Sequence, residues 1–121
     1  MKANELRIGN YIQDQGGKIL RIDWFEQNKA CMQMFVNYIE VHPLTEHFDS
    51  MQPIPLTEEW LMKFGFEALF SGAGYVKNHV EIGYNHNGFY IITSGLKIEY
   101  VHQLQNLYFA LTGEELTINN Q

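Results

Sequence analysis

Apolar and polar positions alternate along most of this chain with a period of two, and in only two stretches does the spacing lengthen to that of a helix. Leu6 to Gln13 alternates weakly, with Leu6, Ile8 and Ile12 in one phase and Arg7 and Tyr11 in the other. Asp14-Gln15-Gly16-Gly17 is a turn signal, because paired glycines supply positive φ at no steric cost. Lys18 to Phe25 alternates more cleanly, placing Leu20, Ile22 and Trp24 on one face and Arg21 and Asp23 on the other. Gln27-Asn28-Lys29 makes a second turn, and Ala30 to Val41 is a long strand-like run, bent near Asn37. The pattern predicts a three-strand antiparallel unit. Residues 42–52 are the least regular stretch and lead, past Pro43 and Pro53, into the next element.

That element is the best-punctuated helix of the chain. Pro53 and Pro55 hold an extended approach, Thr57 is a suitable N-cap, and Glu58 and Glu59 set negative charge against the first-turn amides. Trp60, Leu61 and Phe64 form its apolar stripe, and Gly65 stands where a left-handed residue ends a helix. The sequence then returns to alternation. Phe66 to Phe70 predicts a short strand, Ser71 to Gly74 its turn, and Tyr75 to Tyr84 a strand with Val80, Ile82 and Tyr84 in phase against His79, Glu81 and Gly83. Asn85-His86-Asn87-Gly88 predicts a tight hairpin, Phe89 to Thr93 a strand, Ser94-Gly95 a turn, and Leu96 to Tyr100 a further strand.

Val101 to Thr112 is the second helical stretch. Its core-facing stripe is predicted as Val101, Leu104, Leu107, Tyr108 and Leu111, with Gly113 as its cap. Glu114 to Ile118 is expected to add an edge strand, and 119–121 to fray. The expected class is α+β: a three-strand β unit, a short connecting helix, then an antiparallel β-meander with a C-terminal helix. Ile8-Gly9-Asn10-Tyr11-Ile12, followed by Gly17-Lys18-Ile19-Leu20-Arg21-Ile22, resembles the start of an SH3-like barrel. One compact domain is expected, its sub-units 1–52 and 53–121 sharing a core around Trp60 and Phe64.

Composition narrows the function classes. An apolar content of 45% with 14% aromatics supports a folded core, and no apolar run nears the roughly 20 residues that span a bilayer. No apolar signal region follows the charges of Met1 to Arg7, which places the chain in the cytoplasm. The net charge of −6 counts against a nucleic-acid binder. Residues 1–56 carry five Lys/Arg against seven Asp/Glu, a net of −2, and residues 57–121 carry three against seven, a net of −4. Cys31 stands alone, so neither an internal disulfide nor a cysteine metal cluster is available.

Three segments, Lys2 to Asn10, Pro53 to Phe66 and Tyr100 to Leu116, resemble a family of uncharacterised proteins of gut Bacteroidetes and their phages and mobile elements. The resemblance frames the whole chain and implies a biological setting. It brings no activity, cofactor or catalytic residue.

Candidate chemistry is sparse. No Gly-x-Ser-x-Gly elbow, Walker loop or His-Glu-x-x-His motif occurs. His42, Glu46 and His47 in the connector read as solvated loop groups rather than a metal site. His79, Glu81 and His86 make a two-histidine, one-carboxylate set of the type that suits a transition metal. The competing reading, a solvent-facing polar edge beside a loop histidine, is favoured, and no cofactor is expected. The preferred surface is on the second helix, where Phe109 points away from the apolar stripe among His102, Gln105 and Asn106. An aromatic ringed by amides and an imidazole has the composition of an interface anchor; ordinary core beneath the N-terminal unit is the alternative. The sequence thus points to a non-catalytic protein-interaction or adaptor protein of a phage or mobile element, binding a protein partner or itself. The alternatives are a nucleic-acid-associated module using the N-terminal half and a small metal-dependent enzyme around His79 and His86.

Overall fold

Among the described residues, two antiparallel sheets and two helices give the α+β architecture. The computed structural model describes residues 6–14, 16, 17, 19–26, 29–36, 39–47, 52–69, 72 and 74–118, with only the backbone course for 23–47. The chain divides into two compact units at the peptide between Ile54 and Pro55.

The first unit is a sheet of four strands, β1 (Tyr11–Gln13), β2 (Ile19–Glu26), β3 (Lys29–Val36) and β4 (Ile39–His47), paired antiparallel in that order. The sequence pattern predicts three. The long run from Ala30 is two strands, because the chain reverses between Val36 and Ile39, which pair with each other. β4 also takes in 42–47 of the expected connector, and Pro43 is accommodated because β4 lies at the sheet edge, where a missing amide donor costs least. The start of the chain departs from its expected phase as well. Residues 7–10 form a turn, in which the Asn10 side chain accepts from the Arg7 amide (2.6 Å) and Gly9 takes φ 96°. Ile8 is therefore exposed while Tyr11 and Ile12 are both buried. Leu20 and Ile22 are buried as the alternation predicts, and the β2–β3 register shifts just past them, between Ile22 and Trp24. A bridge joins Gln13 to Gln52, with amide–carbonyl bonds of 3.0 and 2.8 Å. The turn at 27–29, the bend at Asn37, the side chains of Cys31, His42, Glu46 and His47, and the end at 119–121 lie wholly or partly outside the described residues.

The second unit opens with α1 (Glu58–Lys63), and its punctuation acts as the sequence predicts. The Thr57 hydroxyl accepts from the Trp60 amide at 3.4 Å. Gly65, at φ 89°, donates to the Met62 carbonyl and Phe66 donates to that of Leu61, both at 3.0 Å, which satisfies two carbonyls the helix end would otherwise leave open. Trp60, Leu61 and Phe64 are buried.

Five strands follow in an antiparallel sheet: β5 (Glu67–Ala68), β6 (Gly74–Lys77), β7 (Val80–Asn85), β8 (Gly88–Ile91) and β9 (Lys97–Ile98), each paired with the next. The single strand expected over 75–84 is a hairpin instead. Asn78 and His79 both adopt left-handed backbone, at φ 48° and 67°, and reverse the chain between β6 and β7. Such geometry is costly away from glycine. Asn78 meets part of the cost through its side chain, whose amide donates to the Tyr108 hydroxyl (2.6 Å) and to Glu114 (3.2 Å). One face of the sheet carries Val80, Ile82, Phe89, Ile91 and Ile98, all buried.

The last element, α2 (Val101–Thr112), starts where Gln103 reaches back to accept from the Tyr100 and Glu99 amides, at 3.1 and 2.9 Å. It ends at Gly113, φ 76°. Its buried face is Val101, His102, Leu104, Gln105 and Tyr108, rotated from the predicted stripe; Leu107 is half-buried and Leu111 exposed. The cause lies downstream. Residues 114–118 make no strand but bring Leu116 into the core, and the Leu116 carbonyl accepts from the Gln105 amide at 3.1 Å. A polar side chain satisfied in this way can be buried without a large penalty.

Candidate functional site

The alternation of β7 runs Val80, Ile82, Tyr84. The first two are buried, and the third, on the same face, is 62% exposed. The hairpin loop His86–Asn87 pairs Tyr84 with Phe89 across β7 and β8, their ring centroids 4.8 Å apart at 57°. Tyr75 on β6 stands on the same face opposite Ile82, with its ring 6.4 Å from that of Phe89 at 53°. Three aromatic rings set at such angles make a concave wall rather than a stack. The segment leading into α1 closes the other side. Leu56 is fixed there by the hydrogen bond that its backbone N–H donates to the Glu99 carbonyl (2.9 Å), and Thr57 and Glu58 follow. Leu56, Thr57, Glu58, Tyr75, Tyr84 and Phe89 enclose an open cup of about 330 Å³.

The electrostatics of the cup come from one carboxylate. The Tyr75 hydroxyl is held above its ordinary pKa, first by burial and then by the negative charge of Glu58 and its hydrogen bond to that carboxylate, with Tyr84 adding slightly. A neighbouring groove shares Leu56, Tyr84 and Phe89 and continues along Gly88, Lys97 and Tyr100. There the Lys97 ammonium lies 4.0 Å from the Glu99 carboxylate, so that part of the surface is nearly balanced in charge.

The residues singled out from the sequence fall into two groups. On α2, His102 and Gln105 are buried, His102 stacked at 9° on the Tyr100 ring (centroids 6.0 Å), and Asn106 is half-buried. Phe109 lies on the same side of the helix one turn beyond Gln105 and is 41% exposed. A partner approaching this face meets Phe109 and not the buried polar atoms of His102. His79, Glu81 and His86 are not brought together. His79 lies in the β6–β7 turn and His86 in the β7–β8 loop, at opposite ends of β7 and so roughly 20 Å apart at about 3.3 Å per residue. Among the described residues no group of three His, Cys, Asp or Glu side chains is placed to hold a metal ion. His79 and Glu81 instead line a separate cavity of about 250 Å³ with Asn78 and Leu111.

One wall of the cup was within reach of the sequence. The predicted hairpin at 85–88 sets Tyr84 opposite Phe89, and a strand face that ends on an aromatic is a natural edge of the core. The contribution of Tyr75 was not, because the reversal at Asn78–His79 carries no glycine to announce it. No protein-family model matches the chain, and no similarity to a curated protein or to a solved structure is detected.

Proposed function

We propose that this chain is a non-catalytic protein-interaction module and that its working surface is the aromatic cup of the second unit. The observation that carries the reading is Tyr84. A large aromatic that continues a core stripe and yet stands 62% exposed beside a concave cavity is the usual chemistry of an interface anchor. A cup of about 330 Å³ with aromatic walls and one carboxylate has room for a side chain of a partner. The setting proposed is that of the resemblance, a Bacteroidetes phage or mobile-element protein working in the cytoplasm. The first unit is read as SH3-like, which the Gln13–Gln52 bridge supports by giving β1 a second neighbour, as barrel closure requires. The second is read as a meander capped by α2. Among the described residues no helix is long and apolar enough to cross a membrane.

The test is affinity capture from the native host with the wild-type chain, Tyr84→Ala and Phe109→Ala. A partner lost with Tyr84→Ala, at an unchanged melting temperature, supports the cup. A partner kept by Tyr84→Ala and lost with Phe109→Ala moves the surface to α2.

A further inference from the structure

An aromatic wall can hold an apolar side chain, a prolyl ring or a cation, and its charged groups decide among them. Ring faces carry negative potential, so a cation seated within about 6 Å of several faces is attracted by each. In this cup the Phe89 ring is inclined at 53° to that of Tyr75 and at 57° to that of Tyr84, and Glu58 supplies the one formal charge among the residues that line it. Glu58 lines the cup with Tyr75, close enough for its charge to raise the pKa of the Tyr75 hydroxyl, and the carboxylate has lone pairs to offer a further donor. Neither Lys97, which lines the neighbouring groove 4.0 Å from Glu99, nor Lys77, whose ammonium donates to the Phe64 carbonyl at 2.5 Å, lines the cup itself. The surrounding half of the chain carries a net charge of −4. A negative, aromatic cup complements a long cationic side chain and repels an anion.

Resting on the interaction reading above, we propose that the cup formed by Tyr75, Tyr84 and Phe89, with Glu58 at its rim, receives the side-chain cation of an arginine or lysine from a basic segment of a partner protein. The aliphatic stem of such a side chain lies against Leu56 and Phe89 while its charged end reaches Glu58 and the ring faces.

The experiment is an NMR titration of the full chain with the short peptide Ac-Ser-Arg-Ser-NH2 and with its twin carrying citrulline, which keeps the shape of arginine and removes the charge. The proposal expects saturable shifts of the Tyr84 and Phe89 ring signals with the arginine peptide and none with citrulline. Glu58→Gln, which keeps the shape and removes the charge, should weaken binding by about twofold to fivefold, as expected for one lost charge contact at an exposed site. Tyr84→Leu, which keeps the apolar contact and loses the ring face, should weaken it similarly. Equal binding of both peptides overturns the cation assignment and leaves the interaction reading standing, since the cup then accepts a side chain for its shape. No response to either peptide overturns the cation site, and the capture experiment with Tyr84→Ala then decides the broader reading, because it assumes nothing about charge.

Discussion

The two ends of strand β7 obey one alternation and have opposite fates. At its start Val80 and Ile82 are sealed into the core of the second unit; two residues on, Tyr84 faces the same way and is largely in water. Period two decides which side of a sheet a residue occupies, but it is silent on what covers that side. Cover arrives from distant parts of the chain. The β6–β7 end of the sheet is tied to α1 by the bond of Lys77 to the Phe64 carbonyl and to α2 by the bond of Asn78 to Tyr108. At the other end the segment at Leu56 to Glu58 closes one side only and leaves the cup. A core face that outruns its cover is the cheapest place for a fold to keep an exposed aromatic, since the same residues that pack the core also hold the anchor rigid.

The comparison can be broken most severely at the covered end. Ile82→Ala should cost about 2–5 kcal/mol and Trp60→Ala about 3–5 kcal/mol, as for other well-packed core sites; chemical denaturation measures both. If Ile82→Ala is nearly silent, the covered end is not core and the contrast with Tyr84 disappears.

A somewhat smaller loss tests how closely the strands approach. A methyl group added at Gly74 would lie 2.1 Å from the Ile82 carbonyl oxygen, and one added at Gly83 would lie 2.5 Å from the Tyr90 ring. Backbone cannot step aside as a side chain can, so Gly74→Ala should destabilise by about 1–3 kcal/mol or more and Gly83→Ala by less. The reverse order in thermal melts would place the rigid contact at Tyr90.

A smaller effect still sharpens the open end. The pKa of Tyr75 is raised in the folded chain above the usual tyrosine value of about 10, so the neutral hydroxyl is favoured by folding. Its contribution is therefore fully present below pH 10 and is lost as the pH rises through the raised folded-state value. Melting temperatures followed across that range should fall less steeply for Tyr75→Phe than for the wild type. Identical slopes would mean that the surroundings of Tyr75 do not favour its neutral hydroxyl in solution.

Much of this frame is legible in the sequence where a single residue type enforces a conformation. Thr57 and Gly65 mark both ends of α1, Gly113 ends α2, and Asn87-Gly88 points to the β7–β8 hairpin. The misses have a common cause, which is that the deciding partner lies far away or does not look like a turn former. Asn78-His79 reverses the chain without glycine, supported by Tyr108 thirty residues on. Gln105 turns inward because the carbonyl of Leu116 meets it, and that rotates the buried face of α2 away from Leu111 and takes His102 with it. Of the proposed interaction surface, Phe109 and the pairing of Tyr84 with Phe89 follow from spacing. The cup does not, because it needs Tyr75 and Glu58 from elements whose approach no local pattern encodes.

The most direct test of the central claim is to melt and capture with Tyr84→Ala side by side. The account predicts a change in stability of about 1 kcal/mol or less, as for surface positions, together with loss of the partner held by the wild type. A fall of several kcal/mol, or a partner retained in full, would contradict it and return Tyr84 to the core.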